Sequence, residues 1–349
     1  MHVILSAEES EPFLMAELRR AWPEAGHQIA APGLILTNGA MQPAVPPRLV
    51  FARQLLPDAS EETASSISAW SERLYSVITT TCREDGPWSL QVEPHYRGGT
   101  AGRNRCRLIL ESLRERLQRK SRQRLRLLQT EARPFDEADS LVQLILTGPE
   151  RGFLSVASAP LPFQLGSVVS PFPKGEIPVA SDPQAPSRAF AKLLEAELRM
   201  GRRIGRGEVC VDLGASPGSW SYVALNRQAR VIAVDRSPLR ADLMGHRALK
   251  FHRGDAFKFM PDAPVDWLLC DVIAAPERSI ELLLDWVRRK LTRFFVVTIK
   301  FKGHEDYGEL ERLKRALPPW CEAVWITRLC ANKNEACAFG MVRKDAPVP

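Results

Sequence analysis

The hydrophobic pattern of the carboxyl-terminal half is a series of short apolar runs, each closing on an ionisable side chain. Val209 to Leu213 carries Asp212 into the turn Gly214-Ala215-Ser216-Pro217-Gly218, Ala229 to Val234 ends on Asp235, and Leu249 to Gly254 leads to Asp255. Val265 to Cys270 ends on Asp271, and Phe294 to Ile299 ends on Lys300. Runs this short, bounded by turn residues, predict buried strands. Strands that alternate with helical stretches pair in parallel, which places their carboxyl ends on one edge of a sheet. The five charged groups are therefore expected to converge.

The amino-terminal half follows a different rhythm. Val3 to Leu5 reads as a strand, Ser10 caps a helix with Phe13, Leu14, Leu18 and Trp22 on its apolar side, and Leu34 to Leu36 before Asn38-Gly39 reads as another strand. This is a small α+β unit over residues 1–57, marked towards its end by Pro43, Pro46, Pro47 and Pro57. A second α+β domain is expected over 58–159. It has a helix near Glu62 to Thr80, a strand alternating Trp88, Leu90 and Val92, a helix with Cys106, Leu110, Leu113 and Leu117 on one face, and strands Leu141 to Leu146 and Phe153 to Val156. Seven prolines between Pro160 and Pro186 predict a linker over 160–186 without lasting regular structure. The doubly wound domain then runs over 187–344. Ser187 is read as the cap of a helix bearing Phe190, Leu193 and Leu194, with Lys192 on another side, and the runs Ala323 to Leu329 and Ala336 to Val342 form an edge hairpin. Residues 345–349 are read as a disordered tail.

Charge sharpens this division. The chain carries a net +7, but the stretch from Arg97 to Arg126 holds eleven Lys or Arg against Glu111 and Glu115, so the rest sums to −2. Two acids do not balance eleven cations in mixed-sign surface pairs, which favours phosphate contact over a merely solvated face. Arg103, Arg107, Arg114, Arg116, Arg119 and Lys120 are the candidate phosphate-contacting residues. The seven cysteines form no C-x-x-C pair, so neither a disulfide framework nor a zinc site is expected, and His252 and His304 have no ligand-spaced partners. The first residues lack a basic segment followed by an apolar one, and no stretch is apolar enough to span a bilayer. The expectation is a cytoplasmic protein with no membrane or metal partner.

The glycine turn narrows the ligand. Gly214 and Gly218 leave backbone open to a cofactor, while Asp212 beside them repels a pyrophosphate but suits an amino group or a sulfonium. Asp235 lies 21 residues after Gly214, the spacing at which a second-strand carboxylate meets a ribose diol. A nicotinamide-dependent oxidoreductase would share these two features but needs G-x-G-x-x-G and a cradle for pyrophosphate, against which Asp212 and Pro217 stand.

Asp212-Leu213-Gly214-Ala215-Ser216-Pro217-Gly218-Ser219-Trp220, with Asp235, Asp255, Cys270-Asp271 and Lys300, resembles the FtsJ-type RNA ribose 2′-O-methyltransferases. Ala185-Pro186-Ser187-Arg188 leading to Lys192, and Phe51-Ala52-Arg53-Gln54 upstream, bring the chain nearer to the bacterial 23S rRNA cytidine 2′-O-methyltransferases. The resemblance implies a Rossmann-like α/β methyltransferase domain using S-adenosylmethionine, preceded by an α+β THUMP-like RNA-binding region. It also implies a Lys192-Asp271-Lys300-Glu335 catalytic tetrad. The cofactor residues it implies are Ser216, Pro217, Gly218 and Ser219 around the methionine group, Asp235 on the ribose, Asp255 on the adenine amino group and Asp271 near the methyl. Ser187, Asp212, Gly214 and Trp220 complete that set. The family's Pro-Gly-Gly-Trp is Pro217-Gly218-Ser219-Trp220 here.

Methyl transfer to a hydroxyl needs in-line geometry and a place for a proton. Lys300 is the candidate, with Lys302 as its local competitor on a continued strand. A lysine near its ordinary pKa of about 10.4 is a poor base at neutral pH, and a second ammonium such as Lys192 would lower that value. Large-subunit rRNA is the expected partner. A methyltransferase acting on tRNA, or an RNA-binding protein with a silent methyltransferase domain, are the alternatives. Base-modifying THUMP methyltransferases are set aside because Asp271-Val272-Ile273-Ala274 lacks their Asn/Asp-Pro-Pro-aromatic motif.

Overall fold

A computed structural model describes the chain except Glu8 and residues 40–48, 97–99, 132, 134–137, 159–168, 304–306 and 346–349. Pro43, Pro46, Pro47, Arg97, Pro160, Pro162, His304 and nearly all of the expected tail lie outside the described residues. The chain divides into two compact units, Met1–Ile177 and Pro178–Pro349.

The first unit holds two sheets. Strands β1 (His2–Ser6), β2 (Gly26–Ala31), β3 (Leu34–Asn38) and β4 (Ala52–Leu56) form one in the order β2-β3-β1-β4, with helix α1 (Glu11–Ala21) following β1. Strands β5 (Ser60–Thr63), β6 (Trp88–Pro94), β7 (Leu128–Gln129), β8 (Ser140–Leu146) and β9 (Arg151–Ala157) form the other in the order β5-β9-β8-β6-β7. Helices α2 (Ile67–Thr81), α3 (Thr100–Lys120) and α4 (Arg122–Leu127) belong to this second layer, where Trp70, Leu74 and Ile78 of α2 and Ile109, Leu113 and Leu117 of α3 share one core with the sheet.

Several local readings change here. The segment near Glu62 is a strand, and α2 starts only after Ser66, whose side chain accepts the Ala69 N–H at 3.1 Å. The fully buried stripe of α3 follows Gly102, Cys106, Ile109, Leu113 and Leu117, with Leu110 partly buried at its edge against the same core. Ser10 stands at the N-cap position of α1 without a side-chain cap bond. The described part of the proline-rich stretch up to Ile177 holds one short helical turn, Pro173–Gly175, and is not a free tether. Ser170 is buried, its backbone N–H donates to Gln54 Oε1 at 2.7 Å, and its carbonyl accepts Gln54 Nε2 at 2.8 Å. Gln54 Nε2 also donates to Gln91 Oε1 at 3.1 Å, so one fully buried amide joins β4, β6 and the chain beyond β9.

The second unit is a seven-stranded sheet in the order β12-β11-β10-β13-β14-β16-β15. Its strands are β10 (Val209–Leu213), β11 (Arg230–Asp235), β12 (Leu249–Arg253), β13 (Val265–Cys270), β14 (Thr292–Lys300), β15 (Cys321–Thr327) and β16 (Glu335–Val342). The first five are parallel, and β16 inserts antiparallel between β14 and the edge strand β15. The edge hairpin is thus as expected, although β16 begins one residue earlier, at Glu335. Helices α5 (Phe190–Met200), α6 (Ser219–Asn226), α7 (Ala241–Met244), α8 (Pro276–Arg288) and α9 (Gly308–Ala316) complete the unit. Its core is strongly aromatic, with Trp267 stacked on Phe294 at 4.8 Å and Trp325 on Phe339 at 5.6 Å. All seven cysteines are free thiols, and Cys210 and Cys270 lie in the core. Among the described residues no helix is long and apolar enough to cross a membrane.

The strand order fixes where a ligand binds. From β10 the chain winds one way through β11 and β12, then returns to the other side through β13 and β14, which opens a crevice beyond the carboxyl ends of β10 and β13.

Removing the Gln54 side chain leaves buried partners on Ser170 and Gln91 without a hydrogen bond. Gln54→Ala is expected to destabilise the first unit by about 2–4 kcal/mol, at roughly 1–3 kcal/mol for each group left unsatisfied. Urea unfolding followed by a probe in that unit measures it.

Candidate functional site

The crevice contains a cavity of about 350 Å³, within the usual range for a small-molecule site. Of the residues singled out in the sequence, Ser187, Asp212, Gly214, Ser216, Pro217, Ser219, Trp220, Asp235, Asp271 and Lys300 line it. Lys192, itself paired with Glu335, meets Asp271 at one end, whereas Gly218 and Asp255 are not in its lining.

The glycine turn is held from below. Gly214 has φ +73°, and its N–H donates to the Val234 carbonyl at 2.9 Å. A Cβ on Gly214 would lie 2.4 Å from Val272 Cγ2, so this glycine admits the neighbouring strand's loop. Gly218, at φ +109°, stands at the N-cap of α6, and a Cβ there would lie 2.4 Å from Leu243 Cδ1. Both glycines are thus demanded by backbone conformation and packing against protein, and Gly214 also lines the cavity.

Two carboxylates fix the turn. Asp235 accepts the Ser216 N–H at 3.0 Å and the Ser237 N–H at 2.8 Å, which orients it at the cavity wall. Asp212 is buried and accepts both the N–H and the hydroxyl of Ser221, at 2.9 and 2.7 Å. Burial pushes the Asp212 carboxyl up to about 7, against the opposing pull of the Ser221 bonds. The Ser221 partnership has no signature in the sequence, because a serine in the first turn of a helix is unremarkable there.

Ser219, which stands where the resembling family has glycine, is buried and pairs with Ser187 Oγ at 2.7 Å. Trp220 Nε1 donates to the Ala189 carbonyl at 2.8 Å. Together these bonds tie the turn to the segment that enters α5. Ser187 is not the cap of that helix. The N-cap position is Ala189, and Ser187 Oγ accepts the Ala189 N–H at 3.3 Å. Asp255 lies beyond the end of β12, where its carboxylate accepts the Phe257 N–H at 3.0 Å and Arg236 Nη2 at 2.9 Å. The Phe257 bond, then Arg236, holds it below the usual carboxylate range.

At the other end of the cavity four charges meet. Lys192 Nζ donates to both oxygens of Asp271, at 3.1 and 3.2 Å, and lies 2.6 Å from Glu335 Oε1. Lys300 Nζ lies 3.1 Å from Asp271 Oδ1 and donates to the Asp271 backbone carbonyl at 2.8 Å. Two ammonium groups and two carboxylates sum to zero, so the cluster tolerates desolvation that a lone charge would not. Burial works against the Lys192 ammonium, but Asp271 and Glu335 outweigh it and hold its pKa above the ordinary lysine value. Lys192 is buried, not displayed on an outer side of α5, while the Lys300 side chain keeps 23% of its surface open. Glu335 is not a solvated turn residue. It is the first residue of β16, directly opposite Lys300 across the sheet, and it also accepts Asn332 Nδ2 at 3.0 Å. Lys302 is exposed and lies past the end of β14, so no continued strand brings it to the cavity.

Residues 185–302 match the FtsJ-like methyltransferase family. The matched residues all lie in the carboxyl-terminal unit. Curated proteins named ribosomal RNA large subunit methyltransferase M are similar to this chain. That of Stutzerimonas stutzeri is 40% identical over 136 residues, covering 37% of this chain and 39% of its own length. That of Laribacter hongkongensis is 36% identical over 179 residues, covering 50% and 49%, and that of Methylococcus capsulatus is 35% identical over 192 residues, covering 52% and 54%. The chain thus matches about half, or less, of the length of these relatives.

The basic helix of the first unit divides into two kinds of cation. Arg103, Arg107, Arg114, Arg119 and Lys120 of α3 are exposed. Arg107 pairs with Glu111 at 2.6 Å, Arg119 approaches Glu115 at 4.0 Å, and Lys120 lies over the Tyr75 ring at 5.6 Å. Arg116 is different. It binds Glu72 and lies 3.2 Å from Ser71 Oγ, fastening α3 to α2. Arg124 likewise donates to the carbonyls of Ile78, Thr79 and Cys82 at the end of α2, at 2.9, 3.1 and 3.2 Å.

Asp212 makes a pH prediction. Its folded pKa lies above the unfolded value, so folding takes up a proton between about pH 4 and about pH 7. Its contribution is then complete below about pH 4 and is lost as pH rises to about 7. Asp212→Asn, which keeps one acceptor for Ser221, is expected to flatten that slope in urea-unfolding curves measured across the window.

Proposed function

We propose that the chain transfers a methyl group from S-adenosylmethionine to a ribose 2′-hydroxyl in RNA. The target of this reading is a cytidine of 23S rRNA, and the first unit serves as a THUMP-like RNA-binding region. The observation that carries it is the Lys192-Asp271-Lys300-Glu335 cluster, with Lys300 at the cavity beside the glycine turn. The names of the similar rRNA methyltransferases support the substrate class.

The cavity suits the cofactor. Asp212, Asp235 and Asp271 face it with carboxylates, a lining that favours a cationic ligand over a pyrophosphate. Asp235, already oriented by two backbone N–H groups, retains acceptor capacity for a ribose diol. Asp255 would have to release Arg236 to meet an adenine amino group. When bound, S-adenosylmethionine supplies a methyl group on a sulfonium centre, whose charge is lost on transfer.

The protein's share is placement and proton handling. Lys192, paired with two carboxylates, stays cationic and holds Asp271 in position. An ammonium has three donors, and Lys300 directs two towards Asp271, which leaves one position for an incoming hydroxyl. Glu335 steadies Lys192 from the next strand. In this arrangement Lys300 is the residue that meets the 2′-hydroxyl.

Labelled methyl transfer from S-adenosylmethionine to unmethylated large-subunit rRNA tests the proposal directly. Lys300→Ala is expected to lower the rate by about a hundredfold or more while cofactor affinity changes little. Lys300→Arg keeps the charge but does not act as a base, so an arginine variant as inactive as alanine assigns proton transfer or strict lysine geometry, and a largely active one assigns electrostatic orientation. Absence of any transfer by the unaltered enzyme would overturn the function.

The basic helix supplies a second test. Replacing Arg103, Arg114 and Lys120 with Ser is expected to reduce the log–log salt slope of RNA binding by roughly 0.7–0.9 for each phosphate that is no longer neutralised, without altering cofactor binding. Arg116→Ser should act on stability instead.

A further inference from the structure

Beside the reacting cluster, one apolar side chain stands in the open. Ile273 has 90% of its surface exposed, whereas the next most exposed large apolar residue among those described, Ile29, has 49%. A single exposed apolar residue is common on protein surfaces. This one, however, lines the same cavity as Asp271 and Lys300, two positions beyond the carboxylate that binds both lysines.

Its position is built into the loop. Asp271 is gripped by Lys192 and Lys300 through its side chain and by Lys300 through its carbonyl. Val272 packs into the space left by the missing Cβ of Gly214, and Pro276 starts α8. The short segment between these anchors leaves Ile273 at the cavity mouth. Asp271 and Lys300 line the same cavity as charged groups.

We propose that Ile273 is a positioning residue that packs against the base of the nucleotide being methylated, a reading that rests on RNA methyl transfer at this site. A nucleotide whose 2′-hydroxyl reaches Lys300 from within an RNA fold gives up stacking on at least one side. An aliphatic side chain at the rim offers the freed base an apolar surface without reading its hydrogen-bonding edge. The packing therefore contributes affinity for any base and no discrimination between bases. One side chain is far too small for a protein-binding surface, which needs several hundred Å² on each partner, roughly 800 Å² in a standard interface.

The test compares the unaltered chain, Ile273→Ser and Ile273→Leu on unmethylated large-subunit rRNA with S-adenosylmethionine. Ile273→Ser is expected to raise the KM for RNA about tenfold, the ratio given by roughly 1.4 kcal/mol of apolar burial removed. Melting temperature and S-adenosylmethionine affinity should not move, and Ile273→Leu should restore the RNA KM. An active parent enzyme with an unimpaired Ser variant overturns the base packing and leaves the methyl-transfer reading standing. A Leu variant as impaired as Ser, or a Ser variant with weakened cofactor binding, also overturns it. A parent enzyme that transfers no methyl group overturns the function itself and this role of Ile273 with it.

Discussion

The placement of Lys192 is the constraint on which the second unit depends. An ammonium at this depth is stable only with opposite charge against it, and here Asp271 and Glu335 supply it from two different strand ends. The pairing joins helix α5, the loop after β13 and the start of β16. Because Glu335 stands opposite Lys300 in the sheet, the antiparallel register of β14 and β16 becomes part of the site geometry. A slip of one residue would turn Glu335 to the other face.

The opposite wall of the cavity is organised by two carboxyl groups held by hydrogen bonds. Asp212 and Asp235 commit their oxygens to Ser221, Ser216 and Ser237, so backbone donors keep the glycine turn in one shape. Gly214 and Gly218 then let Val272 and Leu243 close against it from two sides. Ser219 adds a link to Ser187 that a glycine would lack. The cavity is therefore rigid where a small ligand would lie and charged where a hydroxyl would react. Preorganisation of this kind lowers the cost of positioning reactants.

In the first unit, charge serves two purposes that composition does not distinguish. Arg116 and Arg124 are engaged internally, one with Glu72 and the other with the carbonyl end of α2. Arg103, Arg114 and Lys120 remain on the outside of α3 with little anionic company. The buried amide of Gln54 does comparable work for the backbone, because it satisfies Ser170 and Gln91 where water is excluded.

The amino-acid sequence by itself determined the five parallel strands, the ionisable group near each strand end, the edge hairpin and the amphipathic basic helix. These follow from periodicity and turn chemistry that act over a few residues. Asp235 and Lys300 were legible for the same reason, since each closes its own strand. What the tertiary structure alone decided are the partnerships between distant segments. Glu335 passes from turn to buried strand start because Lys192 awaits it, Ser187 bonds Ser219 instead of capping α5, and Arg116 folds back onto Glu72 of α2. Asp255 falls to Arg236 and a turn, outside the cavity lining. A charged or hydroxyl group takes whichever partner the fold brings within about 3 Å, and no local pattern encodes that distance.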